Sequence, residues 1–181
     1  MLDRFNRNIN YLRISVTDRC NLRCVYCMPA EGIKLMRHKN VLSFEEILEV
    51  VKFGVEHGIT KVRLTGGEPL VRKQITTLVR MIAEIKEIKD LSMTTNGIFL
   101  DKYAKELAGA GLNRVNISLD TLNEEKYRKV TRGGDINKVF EGIKAAKKYG
   151  LDPVKINVVV DKDSHEKDAE EVKEFGRKNG L

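Results

Sequence analysis

Strand-like and helix-like runs alternate along this chain from residue 11 to its end, and that order restricts the fold more than any single residue does. Residues 11–16 alternate, with Leu12, Ile14 and Val16 on one side, as a half-buried strand does. Ser43 followed three residues later by Glu46 is a capping-box pattern ahead of Ile47, Leu48, Val50 and Val51, so a helix is expected to open there and to close at Gly58. Further strands are predicted over 61–65, 91–95, 114–119 and 154–160. Helices are predicted over 72–89, 101–110, from 123 onward, 137–149 and 166–178; the first of these carries Ile75, Leu78, Val79, Ile82, Ile85 and Ile88 at helical spacing. Strands separated by helices pair in parallel through right-handed crossovers, so the fold class is α/β.

A length of 181 residues with 41% hydrophobic content suits one domain with a sizeable core. Charged residues interrupt every apolar stretch before it reaches a bilayer-spanning length, so no membrane partner is expected. The formal net charge of +7 favours anionic partners, although Lys144, Lys147 and Lys148 fall on a helical stretch whose solvated face accounts for them. An aromatic share of 6% without Trp offers no stacking platform for single-stranded nucleic acid, and none is expected as a partner.

The chemistry is concentrated in residues 20–42, the one long irregular stretch, which holds all three cysteines as Cys20-x-x-x-Cys24-x-x-Cys27. Three thiolates on so short a loop can hold three irons of a 4Fe-4S cube and leave the fourth iron open to a ligand. A structural zinc site is the competing reading and would need a distant fourth ligand such as His38 or His57. Disulfides fit poorly with an odd count and tight spacing, and residues 1–7 contain no apolar signal-peptide core, so reduced thiols in a cytoplasm are expected.

A second feature follows the second predicted strand: Thr65-Gly66-Gly67-Glu68-Pro69. Ligands of α/β proteins bind beyond the carboxyl ends of strands, where paired glycines let backbone approach a ligand; a tight turn is the plainer reading. Asn96-Gly97, Ser118, Asp120, Lys155 and Asn157 place further polar groups at the same edge of the expected sheet.

The cysteine run with Tyr26 before its last cysteine, together with Gly66-Gly67-Glu68-Pro69, resembles the radical S-adenosylmethionine (radical SAM) superfamily. Within it, residues 12–29 and 63–72, and the runs Thr94-Thr95-Asn96-Gly97, Asn116-Ile117-Ser118-Leu119-Asp120 and Lys155-Ile156-Asn157, resemble the GTP 3',8-cyclase family of molybdenum cofactor biosynthesis, a lyase family. The resemblance implies a partial parallel (β/α) barrel with five of its six strand-helix units present, in one radical SAM core domain over 1–181.

It further implies a 4Fe-4S cluster on Cys20, Cys24 and Cys27, S-adenosylmethionine contacted by Tyr26, Gly67 and Ser118, and GTP held by Arg13, Arg63, Thr94 and Lys155. Arg suits bidentate phosphate contacts and Lys acts as a point charge. Arg13 stands out because it interrupts a strand otherwise headed for the core, whereas Arg72 and Arg132 read as surface ion-pair residues. In the family reaction a 5'-deoxyadenosyl radical takes hydrogen from ribose C3' and the sugar carbon attacks C8 of guanine. The implied partners are GTP, S-adenosylmethionine, a reductant and a downstream cyclic pyranopterin monophosphate synthase, with a homodimer as one open assembly.

The family's second 4Fe-4S cluster uses three cysteines of a C-terminal region, and no cysteine remains here for it, so the chain is expected to be an N-terminal portion of a longer protein. Two other readings stay open. One is a peptide-modifying or activating radical SAM enzyme that shares the cluster loop without the GTP residues; the other is a basic metal-binding module without catalysis.

Overall fold

Period-two alternation decides which way the sheet faces. In the computed structural model, which describes residues 2–160 and 166–181, five parallel strands stand side by side in sequence order: β1 (Tyr11–Ser15), β2 (Lys61–Thr65), β3 (Asp90–Thr95), β4 (Arg114–Ser118) and β5 (Lys155–Asn157). Every second residue is apolar, and these share one face: Leu12 and Ile14, Val62 and Leu64, Leu91 and Met93, Val115 and Ile117, Ile156. The helices connecting the strands are α1 (Phe44–Glu56), α2 (Ile75–Ala83), α3 (Leu100–Gly109), α4 (Glu124–Thr131) and α5 (Ile136–Lys148), and α6 (Glu166–Lys178) follows the last strand. Ile47 and Val51 of α1, Leu78 and Ile82 of α2, Leu107 of α3 and Val139 of α5 join the strand side chains in one core. At roughly 1.5–3 kcal/mol for each fully buried aliphatic side chain, this layer dominates the stability of the sheet.

The opposite face is polar throughout. Register places Arg13, Arg63, Ser92 and Arg114 in one row across the first four strands, and Thr94, Asn116 and Lys155 in a row one pleat further on. Arg13 therefore does not interrupt a core-bound strand: it is an exposed residue in a regular alternation whose other members make the core. Five parallel strands in sequence order, with helices on one face, form the expected α/β partial barrel.

Local signals account for the element ends. Ser43 caps α1 through both hydrogen bonds of the capping box, Asn123 accepts from Lys126 N–H at the start of α4, and Asp135 accepts from Asn137 N–H at the start of α5. Two predicted elements come out shorter by more than one residue. The helix expected over 72–89 spans Ile75–Ala83, starting late because Arg72 is engaged elsewhere and Gln74 takes a left-handed conformation, φ 58°, just before the first turn. Past Ala83 the chain tightens into three-residue turns, Ile85 N–H donating to the Ile82 carbonyl and Ile88 N–H to that of Ile85. The strand expected over 154–160 ends at Asn157, since the N–H of Val159 leaves the ladder and donates to Oδ1 of Asp120 at 2.9 Å.

Candidate active site

The cysteine loop lies at the carboxyl ends of the strands and is fastened from three sides. Beyond β1 and β2 the chain continues their pairing: Val16 N–H donates to the Thr65 carbonyl, Gly67 N–H to Thr17 at 2.7 Å, and Glu68 N–H to Arg19 at 2.8 Å. A Cβ on Gly66 would stand 2.4 Å from the Thr17 carbonyl oxygen, and one on Gly67 would stand 2.2 Å from that of Arg19. The glycine pair is thus required by the close passage of the chain's own cysteine loop. The Gly66 and Gly67 carbonyls receive no protein donor among the described residues and remain open as acceptors.

On the second side, α4 holds the loop through its C-terminal carbonyls: Arg23 N–H donates to Thr131 and Val25 N–H to Val130. Arg132, in a left-handed conformation just past α4, sends Nη1 to the carbonyls of Arg23 at 2.7 Å and Met28 at 2.8 Å. Arg72 does similar work nearby, donating to the carbonyls of Val16 and Leu42 at 2.7 Å each while its guanidinium lies over the Phe44 ring. Both residues were expected to be surface ion-pair partners, and both instead clamp backbone around the loop. Nothing local marks them, because their acceptors are main-chain oxygens remote in sequence.

On the third side, Asn96 Nδ2 reaches Asn21 Oδ1 and lies 3.9 Å from Cys20 Sγ, to which Leu22 N–H also donates at 3.4 Å. Asn96 is set by Glu68, a carboxylate 1% exposed whose oxygens accept from Asn96 N–H, the Thr95 hydroxyl and Leu70 N–H. Burial pushes the Glu68 carboxyl above its ordinary value, and the three donors pull the other way.

Cys20 and Cys24 are half-buried and Cys27 is exposed. Burial raises Cys20 and pushes Cys24 up to about 11. To bind a metal group these thiols must give up their protons. Among the described residues no three His, Cys, Asp or Glu side chains converge as a single metal ion requires. His38 contacts Arg19 and His57 faces the Phe53 carbonyl at the end of α1, so neither stands as the fourth ligand of the zinc reading. Three soft donors on one fastened loop, with N–H groups on Cys20 sulfur, suit a polynuclear iron-sulfur group.

Tyr26 is 49% exposed, yet its hydroxyl donates to Asp120 Oδ2 at 2.7 Å; burial and that carboxylate both raise its pKa. Beside it Val25, Tyr26, Thr121, Val130, Val159 and Val160, with Asp120 as the one charged member, wall a mainly apolar cavity of about 210 Å³. Ser118 ends β4, half-buried, in register with Asn157. Arg13, Arg63, Thr94 and Lys155 all stand on the polar sheet face, where Arg63 donates to Ser92 at 3.3 Å and lies over the Tyr11 ring. Arg114 is neutralised there by two hydrogen bonds to Asp90, whereas Arg13, Arg63 and Lys155 have no carboxylate partner among the described residues. Among the described residues no helix is long and apolar enough to cross a membrane.

Residues 14–176 match the family model of the radical SAM superfamily. The GTP 3',8-cyclase of Thermodesulfovibrio yellowstonii is 56% identical over 179 residues, 98% of this chain and 56% of that protein. That of Alkaliphilus oremlandii is 60% identical over 159 residues, 88% of this chain and 50% of that protein. The chain therefore spans about half the length of these relatives. Among solved structures, SuiB of Streptococcus suis bound to precursor peptide SuiA aligns with TM-score 0.78 at 23% identity, over 95% of this chain and 37% of that one. SuiB bound to S-adenosylmethionine aligns with TM-score 0.77 at 21% identity, over 95% and 39%. A fastened three-cysteine loop above a five-stranded parallel sheet, matched by the family model over nearly its whole length, leads to one conclusion: the chain belongs to the radical SAM superfamily.

Proposed function

We propose that this chain is the part of a GTP 3',8-cyclase that carries the cluster and faces the nucleotide, in a protein that cyclises GTP between ribose C3' and guanine C8. The observation that carries this reading is the polar sheet face, where cations without carboxylate partners share rows with hydroxyl and amide groups below the cysteine loop. A peptide substrate gives no reason for such a row, and identities of 56% and 60% with cyclases support the nucleotide. Likeness to the peptide-bound SuiB stands at 23% and extends to the fold alone.

In this reading Cys20, Cys24 and Cys27 hold a 4Fe-4S cluster. Bound together, the cluster and S-adenosylmethionine supply the 5'-deoxyadenosyl radical. The open carbonyls of Gly66 and Gly67 accept from the cofactor's ammonium group, Ser118 offers a hydroxyl at the end of β4, and the apolar cavity beside Tyr26 suits a purine ring. Arg13 and Arg63, adjacent in register, grip the triphosphate while Lys155 adds a point charge and Thr94 a donor. The reading also includes a reductant, a synthase that consumes the cyclic nucleotide, and a cytoplasmic setting.

Anaerobic reconstitution of the whole protein followed by incubation with dithionite, S-adenosylmethionine and GTP tests it. The expected result is 5'-deoxyadenosine and cyclised nucleotide formed together, both lost in Cys24→Ala. A 5'-deoxyadenosine yield indifferent to GTP, with no nucleotide binding by calorimetry, would return the chain to the peptide-modifying class.

A further inference from the structure

Asp120, the second residue beyond β4, is 5% exposed, and among the described residues each of its oxygens has one donor. Oδ2 accepts from the Tyr26 hydroxyl at 2.7 Å and Oδ1 from Val159 N–H at 2.9 Å. The cysteine loop, the exit of β4 and the exit of β5 meet at this one carboxylate.

No Lys or Arg pairs with it among the described residues. A buried carboxylate without a cation is costly unless donors fill its oxygens. A neutral side chain would pack there without that penalty, so packing does not account for an acid. What the carboxylate alone provides is two acceptor oxygens held apart in a fixed plane, one for a phenol and one for a backbone N–H. Tyr26 sits between Cys24 and Cys27, and its ring wall borders the apolar cavity.

We infer that Asp120 is a positioning residue: it fixes Tyr26, and through it the Cys24–Cys27 turn, in the orientation that receives S-adenosylmethionine. The inference rests on the reading of the loop given above and adds a residue which that reading does not use. Because Asp120 acts through Tyr26, substitutions at the two positions must fail to add.

Asp120→Asn, Tyr26→Phe and the double variant, each reconstituted anaerobically in the whole protein, provide the test. Asn keeps the volume and replaces one acceptor with a donor; Phe keeps the ring. The readouts are iron per chain, KM for S-adenosylmethionine and kcat for 5'-deoxyadenosine. Iron is expected at the wild-type level, with KM raised about 10-fold in each single variant, no further in the double, and kcat changed less. A double variant raised about 100-fold, the product of the singles, would overturn the inference, because the residues would then act independently. Unchanged KM in Tyr26→Phe also overturns it, whether or not Asp120→Asn loads iron. Wild-type protein that fails to bind S-adenosylmethionine overturns the reading of the loop and the inference with it.

Discussion

Oε2 of Glu68 accepts the backbone N–H of Asn96 at 2.6 Å, joining the turn after β2 to the turn after β3 beneath the cysteine loop. The same carboxylate takes the Thr95 hydroxyl at 2.7 Å and Leu70 N–H at 3.0 Å. Glu68→Ala leaves three donors unmet in a buried place, at about 1–3 kcal/mol for each lost partner before relaxation. The expected outcome in urea unfolding of the apoprotein is a loss of about 3 kcal/mol or more. Slower iron incorporation should accompany it, because Asn96 no longer braces Cys20.

Glu68 also carries a pH dependence. Burial raises its folded-state pKa above the ordinary 4.5. Below 4.5 both states are protonated; between that value and the raised pKa the native state keeps a proton that the unfolded state gives up. Its contribution to stability is therefore full at the acid end and declines as pH rises through this window. Subtracting the stability profile of Glu68→Gln from that of the wild type should leave that downward slope; a flat difference would show that the three donors cancel the effect of burial.

Gly67→Ala separates the two roles of the glycine pair. Its Cβ would stand 2.2 Å from the Arg19 carbonyl oxygen, and backbone must move to admit it. Overpacking of this kind costs roughly 1–3 kcal/mol. Reduced iron loading without any S-adenosylmethionine present is the expected result. Normal loading with weakened cofactor binding alone would show that the glycine serves the ligand and not the loop.

Arg63 and Arg114 share a row on the sheet but differ in partners. Arg114 is paired twice with Asp90, the side chains being 15% and 24% exposed, so Arg114→Ala strands a half-shielded carboxylate. That loss lies between an exposed pair and a buried one, at roughly 2 kcal/mol of stability. Arg63→Ala removes no ion pair and should change stability by less than about 1 kcal/mol. If it contacts phosphate, it should weaken GTP by roughly 2–5 kcal/mol and lower the salt dependence. Calorimetry with GTP and S-adenosylmethionine checks the contrast; equal losses for both ligands would make Arg63 a structural residue.

Much of the scaffold was legible in advance because local physics sets it. The alternation of Leu12, Ile14 and Val16 and the Ser43–Glu46 box are short-range patterns, and both are present in the fold. The misread ends have long-range causes. A helix is expected from Arg72 onward, but Arg72 is tethered to Val16 and Leu42 and Gln74 turns left-handed, so the helix starts late, at Ile75. The triple valine 158–160 looks like strand interior, but Asp120 draws Val159 N–H out of the ladder.

The candidate site divides along the same line. Sequence by itself determined the three thiols, the glycine pair and the polar alternation, since residue type and spacing carry that chemistry. Tertiary structure alone decided that Arg72, Arg132, Glu68 and Asp120 fasten the loop, that Gly67 is required by the Arg19 carbonyl, and that Arg114 but not Arg63 is neutralised on the polar face. The physical reason is that a buried carboxylate or an arginine acts on whichever donors and carbonyls the fold brings to it, and those lie up to 109 residues away in the chain.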